Sequence, residues 1–352
     1  MTNTTTMTTT TTATPVERES RTADGPLLEM RDLRVEARTR SGRIVLVDHF
    51  DFSMRRGEVR AIVGESGSGK STVCLAALGL LAANARIAAG EIWFDGRRID
   101  DASSETWRSI RGRQIGVVFQ DPLSSLDPVR RVGLQLSEAR RVHRLSNRRA
   151  ANRWGQTMLG QLGFSHPART ARAFPGELSG GMRQRVCVGI AFSAEPQLVI
   201  ADEPTTALDV SLQGRLLRLL LAQREAYDTS VLLVSHDVAV VRAVADRVTV
   251  MFGGEVLEEG DTEQVFSRPA SPYTSALLQS VPALRPTGER RPLRTIPLAT
   301  IPPTPGGCPF AGRCEREIGA CRTAPPPRVE RSPTHYARCF NPVPLPAEAV
   351  AQ

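Results

Sequence analysis

Residues 64–71 read Gly-Glu-Ser-Gly-Ser-Gly-Lys-Ser, which fits the phosphate-loop pattern G-x-x-x-x-G-K-[ST] at every defined position. The apolar run EVRAIV, residues 58–63, precedes the loop and is typical of a buried parallel strand. The run STVCLAALGLL, residues 71–81, predicts a helix that starts within the loop. Backbone N–H groups at such a helix N-terminus point at a bound phosphate. The stretch therefore predicts an α/β fold built around a nucleotide site.

Lys70 is the only lysine among 352 residues, and the other 44 basic residues are arginine. Arginine-rich codon usage would explain the arginines but not the one lysine. A compact ammonium on a flexible stem reaches the β- and γ-phosphates, whereas a planar guanidinium is bulkier. Ser71 would offer its hydroxyl to Mg²⁺. The predicted nucleotide-binding residues of this loop are Gly64, Glu65, Ser66, Gly67, Ser68, Gly69, Lys70, Ser71 and Thr72.

The composition suits one large domain with an appendage, since 41% of the residues are hydrophobic and the net charge is +8. No run of apolar residues is long enough to predict a transmembrane helix. The Thr-rich stretch at residues 1–26 has neither the basic nor the apolar part of a secretory signal, and we expect it to be disordered. A cytoplasmic location follows as an expectation, in which the six cysteines are thiols or metal ligands rather than disulfides.

Two more apolar runs end in polar residues that suit the same site. The run QLVIADEP, residues 197–204, ends in Asp202, a predicted Mg²⁺ ligand, and Glu203, a predicted general base or water-orienting residue. The run SVLLVSHD, residues 230–237, ends near His236, which could contact the γ-phosphate. Parallel strands deliver such residues to one edge of an open sheet. The sequence therefore predicts a hydrolytic site at that edge.

A second anion-binding helix start is predicted at ELSGGMRQR, residues 177–185, through Ser179, Gly180 and Gly181. One nucleotide does not need two such helix ends. We therefore expect this one to serve the nucleotide of a neighbouring subunit.

With these motifs in view, the chain resembles an ABC-type ATPase over about residues 27–340. The phosphate loop resembles Walker A, LVIADE resembles Walker B and LSGGM resembles the ABC signature. VVFQDPLSSLDP with Gln120 resembles the Q-loop, ALD with Asp209 the D-loop, and VSHD with His236 the switch histidine. The resemblance implies a RecA-like parallel-sheet core, an antiparallel β subdomain and a helical subdomain. It also implies that ATP is the substrate and Mg²⁺ the cofactor.

The chain is most similar to the ATPases of oligopeptide and dipeptide (peptide/nickel) importers. The stretches that carry this likeness are FPGELSGGMRQRV, IADEPTTALDV, ADRVTVMFGGEVLEEG, SPYTSALLQSVP and GCPFAGRC. In that family two ATPases pair head to tail around two ATP molecules, so Ser179 and Gly181 would contact the γ-phosphate held by the partner. Gln120 would sense Mg²⁺ and the attacking water, and would link the site to the membrane subunits.

The resemblance implies a paralogous ATPase and two transmembrane permease subunits as partners, with an extracytoplasmic solute-binding protein acting indirectly. It places the chain at the cytoplasmic face of the membrane, with no nucleic acid partner. The alternative is a soluble ABC ATPase that acts on nucleic acid or the ribosome, and one phosphate loop with no long heptad run disfavours it. A purely regulatory nucleotide binder is disfavoured because Glu203 and His236 are both present.

The predicted division of the chain is an ATPase domain at residues 27–268, with a helical subdomain at 121–194, and a C-terminal region at 269–352. Short strands are expected at 27–63 and 87–99, near the base of the nucleotide. An Asp-Gly turn is expected in WFDGRRI, and a hairpin around Gly253 and Gly254. Ala37 stands where related ATPases often carry an aromatic residue, so Ile44 or Val45 would pack on adenine instead.

The helical subdomain carries a predicted core stripe, Trp154, Met158 and Leu162, at four-residue spacing. The same segment carries a basic face, which we expect to be exposed to solvent. The alternative is that it contacts anionic lipid or membrane subunits. Its arginines are Arg140, Arg141, Arg148 and Arg149.

Four cysteines in the proline-rich C-terminal region follow the spacing C-x5-C-x6-C-x17-C, namely Cys308, Cys314, Cys321 and Cys339. A segment with so little apolar content is expected to need a staple. Four thiolates suit an iron–sulfur cluster, and the family resemblance favours [4Fe-4S]. Zinc, with His335 as a substitute ligand, and free thiols remain alternatives. The two remaining cysteines, Cys74 and Cys187, lie in predicted helices and are expected to be buried packing residues.

Overall fold

The computed structural model describes residues 25–206, 210–280 and 306–344. Most of the Thr-rich stretch, Asp209 of the predicted D-loop and residues 281–305 lie outside the described residues. Within the described ranges, no helix is long and apolar enough to cross a bilayer.

The strands of the described residues are β1 (Leu28–Thr39), β2 (Gly42–Met54), β3 (Val59–Val63), β4 (Ala85–Phe94), β5 (Arg97–Arg98), β6 (Ile115–Val118), β7 (Leu198–Asp202), β8 (Ser230–Ser235), β9 (Arg247–Phe252), β10 (Glu255–Asp261), β11 (Arg328–Ser332) and β12 (His335–Arg338). The helices are α1 (Lys70–Ala77), α2 (Ser104–Ile110), α3 (Pro122–Ser125), α4 (Val132–Leu136), α5 (Glu138–Val142), α6 (Arg148–Gln161), α7 (Pro167–Arg172), α8 (Gly180–Ala191), α9 (Val210–Tyr227), α10 (Val238–Val244), α11 (Thr262–Ser267) and α12 (Pro272–Gln279).

The antiparallel β subdomain is a four-stranded sheet in the order β2-β1-β4-β5. Its two longest strands, β1 and β2, have 12 and 13 residues, so the expectation of short strands was wrong there. They gain this length by pairing with each other as a long hairpin, while β1 also pairs with β4. The predicted Asp-Gly turn is confirmed between β4 and β5, where Asp95 and Gly96 both have positive φ.

The core is an eight-stranded sheet in the order β11-β12-β10-β9-β3-β8-β7-β6. The five strands from β9 to β6 are parallel, which confirms the predicted RecA-like core. Side chains alternate along β3: Val59, Ala61 and Val63 belong to the apolar cluster that includes the helical subdomain, and Ile62 belongs to the one that includes α1 and the antiparallel sheet. Every residue of β3 is therefore buried, and the sheet separates two apolar layers.

The helical subdomain contains α3 to α8, between β6 and β7. Its predicted stripe is confirmed as core, because Met158 and Leu162 are fully buried and Trp154 packs at the edge of the same cluster. The predicted basic face is divided. Arg140 lies over the Trp154 ring and pairs with Glu195, whereas the other three arginines of this face are exposed.

The C-terminal region as a separate Cys-containing extension is not confirmed. Instead β12 pairs with β10, through Glu258 with Ala337 and Glu259 with Tyr336, so β12 and β11 continue the core sheet. The reason is that β10 would otherwise leave an unpaired edge of N–H and C=O groups. The predicted hairpin at Gly253 is confirmed between β9 and β10. The domain limits at 26, 194 and 268 remain predictions.

Candidate nucleotide site

The site lies at the carboxyl edge of four neighbouring parallel strands, β3, β8, β7 and β6. Their last residues stand side by side, with Val63 opposite Ser235, Asp202 opposite Val234, and Val118 opposite Ala201. The residue segments that follow therefore meet at one edge, as expected for an open α/β sheet. These segments carry the phosphate loop, His236, Glu203 and Gln120, as the sequence predicts.

Two glycines of the phosphate loop lie where the backbone of another segment comes very close to the loop. A Cβ on Gly64 would lie 2.1 Å from the Met251 carbonyl oxygen, and one on Gly69 would lie 2.9 Å from the Leu46 carbonyl oxygen. Gly69 has φ +98 and precedes the first residue of α1, whose first turn holds no acidic residue. Free N–H groups at this helix start can therefore face a phosphate without a competing carboxylate.

Lys70 is the first residue of α1 and is buried. Its Nζ donates hydrogen bonds to the Gly64 carbonyl at 2.9 Å and the Glu65 carbonyl at 2.8 Å. Burial lowers the pKa of Lys70, while the charges of Glu203, Asp202 and Glu65 oppose that change. The ammonium is thus held inside the loop by backbone oxygens and three nearby carboxylates.

Two oxygen ligands suited to Mg²⁺ are already in contact. The Ser71 hydroxyl donates to Asp202 Oδ1 at 3.1 Å. Burial raises the pKa of the Asp202 carboxyl, and the Ser71 hydrogen bond opposes that rise. Hydroxyl and carboxylate oxygens are the donors that a hard divalent cation prefers. The pair therefore fits the predicted metal role.

Glu203 is the meeting point of three side chains beyond β7. Its Oε2 accepts hydrogen bonds from Gln120 Nε2 at 3.1 Å and Thr206 Oγ1 at 2.9 Å, and lies 3.3 Å from His236 Nδ1. Its backbone has φ 45, which is uncommon for a residue other than glycine. Thr206 was not among the predicted site residues, although it lies in the stretch IADEPTTALDV. The arrangement fixes one carboxylate oxygen where a water could be oriented.

The predicted signature residues lie at the start of α8. Ser179 caps this helix, since its hydroxyl accepts from the Met182 N–H at 3.3 Å. Ser179 and Gly180 are exposed, and a Cβ on Gly181 would contact only the Leu212 side chain. On the buried side Gln184 donates to the Pro204 carbonyl at 2.7 Å, which ties α8 to the residue after Glu203.

Ile44 and Val45 are 45% and 44% exposed, which is unusual for such side chains on a strand. Ile44 pairs with Ala37. The next residue, Leu46, contacts the phosphate loop through its carbonyl, as its distance to the Cβ position of Gly69 indicates. An exposed apolar surface therefore lies close to the loop, and its contact with adenine stays a prediction.

Two residues that the sequence analysis did not single out hold Glu65 of the phosphate loop. The Tyr273 hydroxyl accepts from the Glu65 N–H at 2.9 Å. The Arg313 guanidinium donates to both Glu65 carboxylate oxygens, at 2.9 and 2.7 Å. Both residues lie in stretches that carried the family likeness, SPYTSALLQSVP and GCPFAGRC. The sequence holds no signal for partners 208 and 248 positions away.

The four C-terminal cysteines lie near one another, and none of them forms a disulfide. The Cys308 N–H donates to the Cys321 carbonyl at 2.7 Å. Burial is the main cause that raises the pKa of Cys308 to about 12 and of Cys314 to about 11, with small contributions from the other thiolates. Among the described residues, no three His, Cys, Asp or Glu side chains form a group that could hold a metal ion. The structure therefore does not support the predicted iron–sulfur cluster or zinc.

His335 does not belong to the cysteine group. Its Nε2 lies 2.7 Å from Glu258 Oε1, and both side chains are buried between β10 and β12. Among the described residues, His335 and the cysteines form no group that could hold a metal ion, so the structure does not support the use of His335 as a zinc ligand. Cys74 and Cys187 are buried in α1 and α8 as predicted, and burial raises the pKa of Cys187 to about 12.

Comparison with known protein families finds two matches along the chain. The ABC transporter family matches residues 47–206, and the C-terminal region of oligopeptide/dipeptide transporters matches residues 257–321. Oligopeptide transport ATP-binding protein OppD of Escherichia coli is 41% identical over 321 residues, which cover 90% of this chain and 94% of that protein. The chain belongs to the ATP-binding proteins of oligopeptide and dipeptide ABC transporters.

Other relatives agree with this membership. Dipeptide transport ATP-binding protein DppD of Bacillus subtilis is 39% identical over 316 residues, covering 89% of this chain and 94% of that protein. Among solved structures, a dimeric ATP-binding cassette in a post-hydrolysis state, bound to ADP and Pi, has a TM-score of 0.60 and 25% identity. It covers 67% of this chain and 98% of its own. The chain is thus an ABC ATPase, for which ATP hydrolysis is the reaction.

Proposed function

We propose that this chain is the ATP-hydrolysing subunit that energises an ABC importer for dipeptides, oligopeptides or similar small solutes. The observation that carries the proposal is the meeting of the phosphate loop, Asp202, Glu203, Gln120 and His236 at one edge of the core sheet. The names of the relatives supply the transported class. A soluble ATPase acting on nucleic acid or the ribosome is not favoured by any of these relatives.

Each side chain has a proposed role in hydrolysis. Lys70 binds the β- and γ-phosphates, and Ser71 with Asp202 holds Mg²⁺, which neutralises charge on the phosphates. Glu203 accepts a proton from the attacking water or orients it, while Gln120 and His236 hold the Glu203 carboxylate and lie next to the γ-phosphate.

The signature residues act between subunits. Ser179, Gly180 and Gly181 are proposed to contact the γ-phosphate held by a paralogous ATPase in a head-to-tail dimer. Support comes from the exposed start of α8 and from a dimeric structural neighbour. Two permease subunits, and indirectly a solute-binding protein, complete the importer, with this chain at the cytoplasmic face of the membrane.

The [4Fe-4S] cluster, with zinc as the alternative, stays a prediction from the family resemblance, and no step of the reaction is assigned to it. Its ligands would be Cys308, Cys314, Cys321 and Cys339. Iron and acid-labile sulfide contents well below about four of each per chain in anaerobically purified protein, together with absent zinc, would leave the free-thiol alternative.

The experiment is a pull-down of the Glu203→Gln protein from gently solubilised native membranes with Mg-ATP, with mass spectrometry of the co-purifying proteins. We expect two multi-span membrane proteins and a second ATPase. Recovery of ribosomal or DNA-bound proteins without a membrane partner would contradict the importer. A parallel pull-down with Lys70→Ala, which lacks the phosphate-binding ammonium, controls for association that does not depend on ATP.

A further inference from the structure

The cysteine segment, residues 306–322, packs directly against the nucleotide site although it lies far away in the sequence. Pro309 contacts Gly253 in the turn between β9 and β10, where a Cβ on the glycine would come within 2.9 Å of the proline. The next residue of that turn, Gly254, donates its N–H to the Ser68 carbonyl at 3.1 Å. The cysteine segment is therefore connected to the phosphate loop through the turn between β9 and β10.

Arg313 makes the direct contact. Its guanidinium forms a two-bond pair with the carboxylate of Glu65, and the side chains are 15% and 31% exposed. The same guanidinium lies 5.1 Å from the Phe252 ring centroid and 5.8 Å from that of Phe310. A planar guanidinium that lies over aromatic rings and donates to both oxygens of a carboxylate is well fixed in position.

Aromatic packing anchors this contact to the core. The rings of Phe252, Tyr273 and Phe310 lie 4.7 to 5.2 Å apart, and each comes from a different part of the chain: β9, α12 and the cysteine segment. Tyr273 is fully buried and holds the backbone N–H of Glu65. Glu65 is thus held at its backbone by one member of this group and at its side chain by Arg313.

The charge of Glu65 creates a need for this arginine. A carboxylate within an anion-binding loop repels a triphosphate, and in a partly buried setting that repulsion is weakly screened. The Glu65 charge is felt inside the site, since it acts on the pKa of Lys70. A guanidinium bonded to both carboxylate oxygens offsets the repulsion and leaves the loop net favourable to phosphate.

We propose that Arg313 is a positioning residue for nucleotide binding, which compensates the charge of Glu65 and so makes nucleotide affinity depend on the seating of the cysteine segment. The proposal deepens the proposed function and rests on it for the identity of the nucleotide. Arg313 acts through the Glu65 carboxylate to which it is bonded, so it is expected to act on affinity rather than on the chemical step.

The test compares full-length variants by calorimetry with Mg-ADP and by steady-state ATP hydrolysis. Arg313→Ala is expected to weaken Mg-ADP binding and raise KM for ATP by about tenfold, with kcat changed less than about twofold. Arg313→Lys keeps the positive charge but loses the two-bond geometry of the guanidinium. The decrease in the logarithm of Mg-ADP affinity should be about a third of that for Arg313→Ala. Equal Mg-ADP affinity in wild type and Arg313→Ala would overturn the proposal.

A second substitution separates charge compensation from general packing. Glu65→Gln in the Arg313→Ala background removes the uncompensated carboxylate, so it should restore most of the Mg-ADP affinity. A double variant as weak as Arg313→Ala would contradict the proposal. The matched control is Arg130→Ala, which removes a two-bond pair with the Glu138 carboxylate in the helical subdomain, outside the cysteine segment. Its Mg-ADP affinity should equal that of wild type.

Reciprocity gives a readout that a merely structural role would not move. If seating of the segment raises nucleotide affinity, Mg-ADP must stabilise the seated segment by the same factor. Amide hydrogen exchange in residues 306–314 should therefore slow with Mg-ADP in wild type and not in Arg313→Ala. Amide exchange rates in wild type that are the same with and without Mg-ADP would overturn the coupling. If wild type binds Mg-ADP but does not hydrolyse ATP, the proposed function fails while this inference is still decided.

Discussion

Glu203 shows how much of a hydrolytic site can depend on one carboxylate. It is 11% exposed, and one of its oxygens receives Gln120 and Thr206 and lies beside His236. Its left-handed backbone conformation is a local strain of the kind that is retained where the position of a side chain matters. Three neighbours fix its position, which supports its proposed role of accepting a proton from water or aligning it.

Replacing Glu203 by Gln should lower kcat for ATP by at least about 100-fold, because an amide keeps the shape but cannot accept the proton. Mg-ATP affinity should change little, since the proposed contacts of Lys70 with the phosphates and of Ser71 with Mg²⁺ are unchanged. Phosphate release and equilibrium binding measure the two quantities. Glu225→Gln, at an exposed position on α9, is the control. Unchanged hydrolysis by the Glu203 variant would refute its role.

At the residue scale the sequence predicted several of the polar residues that strand ends bring to one edge of the sheet, and their chemical roles stay proposals. Lys70, Asp202 and His236 each follow an apolar run, and parallel strands bring such positions together regardless of the rest of the fold. Thr206 and Arg313 were missed for a physical reason. Their partners depend on how loops and distant segments pack, and no local periodicity encodes such contacts.

At the element scale, the attachment of β12 to the core depends on one buried carboxylate. Glu258 in β10 is fully buried and accepts from the Ala270 N–H at 2.6 Å and the Ser271 N–H at 2.9 Å, and it also contacts His335 in β12. It therefore joins the start of α12 and the added strand to the sheet.

Replacing Glu258 by Gln should lower the free energy of unfolding by about 3 kcal/mol, because an amide cannot accept from all three donors and leaves a buried group unpaired. Urea unfolding followed by circular dichroism measures the loss. Glu263→Gln is the control, since its side chain is 74% exposed and its ion pair with Arg242 lies on the surface. That change should cost less than about 0.5 kcal/mol. Equal stabilities of the two variants would contradict the anchoring role.

The elements themselves were predictable to different degrees. The hairpin at Gly253 and the turn at Asp95 follow from glycine and aspartate at positions that need positive φ. The stripe of α6 follows from helical periodicity. The addition of β11 and β12 to the sheet was not predictable, because strands with Arg328 and Glu330 facing outward show little apolar alternation. Their place is set by the free edge of β10.

At the scale of the whole molecule, the chain offers two halves of different sites. Its phosphate loop lies at the edge of the core sheet, while Ser179 is exposed at the start of α8 on the helical subdomain. Head-to-tail pairing of two such subunits would place each half against the complementary half of the other. Sequence alone indicated this because a second anion-binding helix start had no nucleotide of its own.

Replacing Ser179 by Glu should test the assignment to the partner's nucleotide. A carboxylate facing the partner's γ-phosphate should reduce ATP hydrolysis of the assembled transporter by at least about tenfold through like-charge repulsion. Binding of Mg-ADP to the isolated chain should remain as in wild type, because its own phosphate loop is intact. Ser179→Ala controls for loss of the helix cap. Weaker Mg-ADP binding by the isolated Glu variant would mean that Ser179 serves its own site.

The buried position of the only lysine has a practical consequence for chemical labelling. Any reagent that acylates ε-amines has a single such target in the chain, Lys70, between the carbonyls of Gly64 and Glu65. Because burial lowers its pKa, a larger fraction of this amine is in the nucleophilic, uncharged form than at an exposed lysine. The acyl groups whose incorporation nucleotide prevents, as distinct from those on the α-amine, would therefore count intact nucleotide sites. By the same reasoning, acetylation of the only lysine side chain would remove the ammonium that is proposed to bind phosphate, and would therefore disable the ATPase.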